Sequence, residues 1–127
     1  MSKSARNSIE VEVRTAYVEA ESDPAEDRYV FAYTITIRNT GGTGARLISR
    51  HWLITDANGD VQEVFGEGVV GQQPFLRPGE DFVYSSGTAL PTPVGTMQGS
   101  YRMQSETGEQ FDAPIAPFSL ALPRILH

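Results

Sequence analysis

Apolar and polar residues alternate with a period of two over most of the chain. From Arg28 it reads RYVFAYTITIRN, with Tyr29, Phe31, Tyr33, Ile35 and Ile37 on one face. Val30, Ala32, Thr34 and Thr36 fall on the other. Successive side chains of a strand point to opposite sides, so this spacing predicts a strand with one buried face. Val and Thr favour extended backbone even where exposed. The preceding IEVEVRTAYVEA alternates likewise, setting Val11, Val13, Thr15 and Tyr17 against Glu10, Glu12 and Arg14. The acidic SDPAEDR between the two reads as a solvent loop.

NTGGTG follows, a turn built on Gly41, Gly42 and Gly44. RLISRHWLIT predicts a third strand, with Ile48, Trp52 and Ile54 on one face and Leu47 and Leu53 on the other. Asn58-Gly59 in DANGD is the preferred pair for a two-residue type I′ hairpin, and VQEVF is its returning strand. Pro78-Gly79 marks another turn. DFVYSSGTAL, GSYRMQSE and QFDAPIAPFSLAL are further strands, the last two joined by Glu106-Thr107-Gly108-Glu109. Turn signals recur about every ten residues, and no stretch carries a helical stripe. The pattern predicts an all-β fold, an antiparallel β-sandwich of about seven strands in a single domain over residues 1–127. Residues 1–8 and 122–127 are expected to fray or lie across an edge.

Composition narrows the function. The 127 residues are 39% hydrophobic and 20% charged, a profile of one globular core. Ten basic against sixteen acidic residues give a net charge of −6. The only lysine is Lys3 and the arginines are scattered, so a nucleic-acid backbone is not the expected partner. The absence of Cys excludes disulfides, Cys-ligated metals and thiol nucleophiles, and it fits a cytoplasmic location. MSKSARNSIEV carries no apolar core of a secretory signal, and the longest apolar run, Tyr29 to Tyr33, falls far short of the ~20 residues of a membrane span. The expectation is a soluble, intracellular protein without membrane insertion.

One stretch suggests chemistry. VFGEGVVGQQP contains G-x-G-x-x-G, formed by Gly66, Gly68 and Gly71. In a dinucleotide-binding fold that loop opens a helix whose N-terminus meets the pyrophosphate. Here Pro74 and Pro78 interrupt the following segment and the surroundings are all-β, so the motif lacks its context. The glycines then serve a connection crossing between sheets, or their amides form an anion-binding nest. The candidate ligand-binding residues are Gly66, Gly68, Val69 and Gly71.

Other constellations are weaker. Asp56, Asn58, Asp60 and Glu67 fall at positions one, three, five and twelve of a calcium loop, but Val61 stands where the sharp turn needs Gly. His51 and His127 without Cys make a poor transition-metal set, so no metal site or cofactor is expected. Ser85 and Ser86 lack the signature of a nucleophile elbow. Glu80-Asp81 reads as a solvated turn. No catalytic residues emerge. Arg50, His51 and Tyr84, with Tyr101, are the residue types suited to partner binding, although the two tyrosines equally suit the space between sheets.

RHWLITDANG, VFGEGVVGQQP, LRPGEDFVYSSGTAL, GTMQGSYRM and the terminal PFSLALP together resemble the ApaG (CorD) family. They appear in the family's order and cover most of the chain from Ile9 onward. The resemblance implies an immunoglobulin/fibronectin type III-like sandwich in a bacterial cytoplasmic protein linked to cobalt resistance and magnesium efflux. It also implies a genomic neighbourhood with a diadenosine-tetraphosphate hydrolase. Related domains in eukaryotic F-box proteins and a polymerase-delta-interacting protein look like interaction modules. No catalytic residues come with it. The expected function is therefore a non-catalytic interaction module that affects divalent-cation homeostasis through protein partners. The alternative is a sensor of a pyrophosphate-containing nucleotide, or its magnesium complex, at the Gly66–Gly71 loop. Sandwich edges also leave homodimer pairing open.

Overall fold

The alternating segments become strands in a computed structural model that describes residues 6–123. They are β1 (Ile9–Tyr17), β2 (Tyr29–Asn39), β3 (Ala45–Asp56), β4 (Val61–Glu67), β5 (Phe75–Leu76), β6 (Asp81–Leu90), β7 (Val94–Ser105) and β8 (Gln110–Ala121). One sheet has the order β1-β2-β6 and the other β4-β3-β7-β8, with β5 paired onto β3. All pairings are antiparallel. Seven long strands split three and four, as an immunoglobulin/fibronectin-type sandwich requires. The added β5 is a two-residue patch. No helix among the described residues is long and apolar enough to cross a membrane.

The inner face of β2 is the one its alternation predicts. Phe31, Tyr33, Ile35 and Ile37 are all buried. Leu47, Trp52, Ile54, Met97, Tyr101 and Met103 meet them from the other sheet. Trp52 is the hub. Its ring lies edge-on to Tyr33, Phe118 and Tyr101 at centroid separations of 5.6, 5.9 and 6.3 Å. Edge-to-face pairs of this kind contribute ~0.5–1.5 kcal/mol each beyond the area they bury.

The structure corrects three local expectations. Leu47, assigned by simple alternation to the face opposite Trp52, is fully buried, whereas Ile48 is only half-buried. The β3–β7 register slips between Leu47 and Ser49, and the extra residue Ile48 moves everything before it to the other face. Second, Asn58-Gly59 does not form a type I′ turn, which needs positive φ at both residues. Gly59 has φ +85° but Asn58 does not share the left-handed region. The Gly59 N–H donates to Asp56 O and the Asp56 N–H to Asp60 O, closing a three-residue loop. The Asp56 carboxylate completes it by accepting from the N–H groups of Asn58 and Asp60 at 2.8 and 3.1 Å.

Third, the acidic SDPAEDR segment is not plain loop. It carries a 3₁₀ turn at Pro24–Glu26 that ends on Asp27 in the left-handed region. Residues 6–8 lie against the loop that follows β2. The Thr40 N–H donates to Ser8 O at 2.9 Å, and the N–H groups of Gly42 and Thr43 donate to Arg6 O at 3.2 Å. Residues 1–5 and 124–127, His127 included, lie outside the described residues.

Three polar residues are buried, Asn39, Thr92 and Ser105, and Asn39 is the most enclosed. Asn39 ends the buried face of β2 and is 1% exposed. Its Nδ2 donates to Thr43 O and Leu76 O, and its Oδ1 accepts from the Gly41 N–H, all at 2.9 Å. One amide thus ties β2 to the following loop and to β5, with every polar atom satisfied.

Tyr84 of β6 and Tyr101 of β7 are both buried and share a hydrogen bond between their hydroxyls. Burial pushes the Tyr84 phenol up to about 12, against the Tyr101 hydrogen bond, which pulls it down. Burial, with Tyr84 beside it, also raises Tyr101. In the unfolded chain both ionise near pH ~10. Above that pH the unfolded state binds fewer protons than the folded one, so stability falls as pH rises. We expect a urea midpoint that declines from about pH 10 toward pH 12, with Tyr84 and Tyr101 silent at 295 nm until the chain unfolds. Titration of all five tyrosines near pH 10 in the folded protein would contradict this assignment.

Candidate functional site

The glycine motif lies where β4 ends and the chain turns back toward β5. Gly66 is still in the strand, opposite Arg50 of β3. A Cβ on Gly66 would sit 2.6 Å from the guanidinium carbon and from both terminal nitrogens of Arg50. The bare backbone at this position is what lets the arginine lie across β4. Its Nη1 donates to Glu67 O at 3.0 Å and to Gly68 O at 2.9 Å.

Beyond Glu67 the loop makes a tight hairpin. The Val69 N–H donates to Gln72 O and the Gln72 N–H to Val69 O, at 2.8 and 2.9 Å. Between them, Val70 and Gly71 have φ of +43° and +77°. Positive φ at both central residues is the signature of a type I′ turn. The turn expected at Asn58-Gly59 therefore occurs here, with a β-branched residue at its first corner. Gly68 has φ +61°, and a Cβ on it would come within 2.2 Å of Gln72 O. Val69 points into the core and is fully buried.

This loop offers little to an anion. The N–H groups of Gly68, Val69 and Gln72 all donate to backbone carbonyls. What it turns toward Arg50 is carbonyl oxygen. The positive element is Arg50 itself, at one wall of a cleft of about 290 Å³ between the sheets. Tyr33, Trp52, Tyr84 and Ser86 line it together with Glu67 and residues 69–71 of the glycine loop.

The residues expected to bind partners are divided between two faces. Arg50 shares the inner face of Trp52 and reaches the cleft. Tyr84 also lines the cleft, but its ring is buried and its hydroxyl is engaged, so it is not an exposed anchor. Tyr101 is wholly in the core. His51 points outward, opposite Trp52, as alternation predicts. Its Nε2 lies 2.6 Å from Glu63 Oε2, and its ring stacks on Phe65 at 4.1 Å and 5°. Phe65 is 71% exposed. This was not singled out from sequence, although its place opposite His51 on the hairpin would have pointed to it.

The remaining candidates are used locally. Ser85 Oγ is 2.7 Å from Thr34 Oγ1. His51 lies on the outer face of the other sheet from Ser85 and Ser86. Glu80 Oε1 accepts from the Arg77 N–H, and Asp81 pairs with Arg38 at 3.0 Å. Among the described residues, no three of His, Asp and Glu gather as a metal site would require.

Fold and strand order define the class: a small immunoglobulin/fibronectin type III-like β-sandwich. Within that class the comparisons are specific. A family model described as ApaG domain matches residues 19–105. The Protein ApaG of Azoarcus sp. (strain BH72) and that of Thiobacillus denitrificans are each 63% identical over the full length of both chains. The crystal structure of the ApaA protein from Bordetella pertussis superposes with a TM-score of 0.92 at 55% identity, covering 94% of this chain and 98% of that one. The chain belongs to the ApaG family.

The loop geometry ranks its substitutions. Gly68→Ala meets both the left-handed backbone, roughly 1–2 kcal/mol for a non-glycine residue, and the Gln72 carbonyl. Gly71→Ala meets only the first, since nothing lies within 4 Å of its added Cβ. Val70→Asn should stabilise by about 1 kcal/mol, because Asn tolerates the left-handed region that strains valine. Urea unfolding of the three variants should give the order Val70→Asn, wild type, Gly71→Ala, Gly68→Ala from most to least stable. A Gly68→Ala protein as stable as wild type would refute the structural role.

Proposed function

We propose that this protein is a non-catalytic interaction module that acts through protein partners, with any effect on magnesium or cobalt balance running through them. The observation that carries this reading is where its apolar surface lies. Among the described residues, the large apolar side chains left exposed are Val61, Phe65, Val70, Phe75, Val83, Val94 and Leu122. Five of the seven fall between β4 and β6. Single exposed apolar residues are ordinary, but their concentration in one run of chain suits a contact surface. Phe65, stacked on His51 and sharing a shallow cleft with Arg102 and Asp112, has the form of an aromatic anchor in a polar border.

The test is a pull-down from a bacterial lysate at low and millimolar magnesium, with wild type and with Phe65→Glu. The exposed site lets Phe65→Glu fold as wild type does. We expect a partner whose capture drops at least tenfold with Phe65→Glu. No partner under any ionic condition would count against the reading.

The second reading is a sensor of a pyrophosphate-containing nucleotide. Arg50 and the cleft beside it favour this, while the engaged loop amides weigh against it. An amide-resolved NMR titration with diadenosine polyphosphate and Mg²⁺, then with Mg²⁺ alone, separates the two. The interaction reading expects no saturable shifts at Gly66, Gly68, Val69 and Gly71. Saturable shifts there would install the sensor instead.

A further inference from the structure

Four long strands end the sheets of this sandwich, β1 and β6 in one and β4 and β8 in the other, with the two-residue β5 beside β3 beyond the end of β4. Natural proteins blunt such edges with charges, proline or bulges, because unpaired backbone groups recruit other strands. Three of the four show these devices. β1 carries Glu10, Glu12 and Arg14. β8 carries Pro114 and Pro117 and a register slip at Ala116-Pro117. β4 is short and carries Glu63 and Glu67.

β6 has none of them beyond Asp81 at its start, which pairs with Arg38. Its ten residues pair with β2 in unbroken register, from Asp81 with Arg38 to Leu90 with Tyr29. After Asp81 it reads FVYSSGTAL, with no charge and no proline. Beyond that ladder, no backbone hydrogen bond among the described residues involves residues 82–90.

Two clefts open along its inner side. One, of about 290 Å³, adjoins Tyr84 and Ser86 and contains Arg50. The other, of about 110 Å³, adjoins Ala89 and Leu90, with Ile54, Val61 and Pro91 as its apolar wall and Asp56, Asp60 and Gln62 on its polar side. Ser86 and Leu90 share one face of the strand, and their separation is about 13 Å at strand rise. Side chains four apart on an added strand match that spacing. Arg50 supplies the charge criterion. It donates through Nη1 to two carbonyls, but it forms no ion pair with a described carboxylate, Glu67 included.

We infer that the outer edge of β6 takes an extended segment of a partner protein as an added strand, with an acidic side chain of that segment on Arg50 and an apolar one, four residues away, beside Leu90. Main-chain hydrogen bonds supply affinity, and the two clefts fix the register. The inference rests on the interaction-module reading and names its surface.

The test uses the full chain as bait for a display library of random nine-residue peptides. Selected peptides should carry Asp or Glu four residues from an apolar side chain. Replacing that acid by its amide should weaken binding at least tenfold. N-methylation of alternate peptide amides should abolish binding in one phase and spare it in the other. Alternate β6 amides should become protected from hydrogen exchange on binding. Peptides indifferent to both changes, or no selected peptide, would overturn the inference. So would sedimentation showing that β6 is already covered by a second copy of the chain. A pull-down partner that depends on Phe65 while β6 amides exchange freely would sink the strand-addition site and leave the module reading standing. Absence of both partner and peptide would sink the two together.

Discussion

Burial of the Trp52 indole between the sheets is the constraint on which the rest is hung. Three aromatic rings from three other strands meet its edges and faces, and together they fix how the sheets lie on each other. Because inward positions on β3 recur every second residue, the strand that buries Trp52 also turns Arg50 inward. A guanidinium cannot follow the indole into the core without leaving most of its donors unpaired. It stays at the rim, held by the Glu67 and Gly68 carbonyls, and the space beside it becomes the cleft. The core and the candidate site are therefore one packing problem.

The glycine motif answers that packing problem. Gly66 yields room for a charged side chain, Gly68 allows a carbonyl to approach closely, and Gly71 occupies a left-handed corner. The same letters in a dinucleotide fold expose amides at a helix N-terminus. Here the amides close a hairpin and carbonyls face a cation, so the local electrostatics are reversed. A pattern of glycines constrains where backbone can go, but not which backbone group looks outward.

Much of the fold was legible because two-residue periodicity is a direct consequence of strand geometry. The inner face of β2 and the opposed placement of Trp52 and His51 follow from it alone. It failed where the period itself is broken. The bulge at Ile48 carries Leu47 into the core, and no local residue type announces it. Asn39 reads as a polar strand end, since the carbonyls that satisfy it come from Thr43 and from Leu76, the latter distant in sequence. The cleft was illegible for the same reason, being made by residues of both sheets and a loop. For the candidate site, sequence supplied Arg50 and the glycines, but not the contact between them, which depends on β3–β4 register.

The two flanks of the sandwich are not equivalent, and this asymmetry is the last consequence of the strand order. β1 and β8 pack against each other and close one flank. On the other, β4 and β6 are separated by the glycine loop and the crossing through β5, and the clefts lie between them. Val61 and Phe65 on β4, Val70 in the glycine loop and Val83 on β6 are exposed on the elements that border this open flank. Such surface promotes association between copies, yet a chain of net charge −6 repels itself at long range. Charge opposes indiscriminate contact while a neutral edge strand remains available for a specific one. A partner has only to overcome that general repulsion, and a cation fixed at the mouth of the cleft, Arg50, is the local exception that would help it do so.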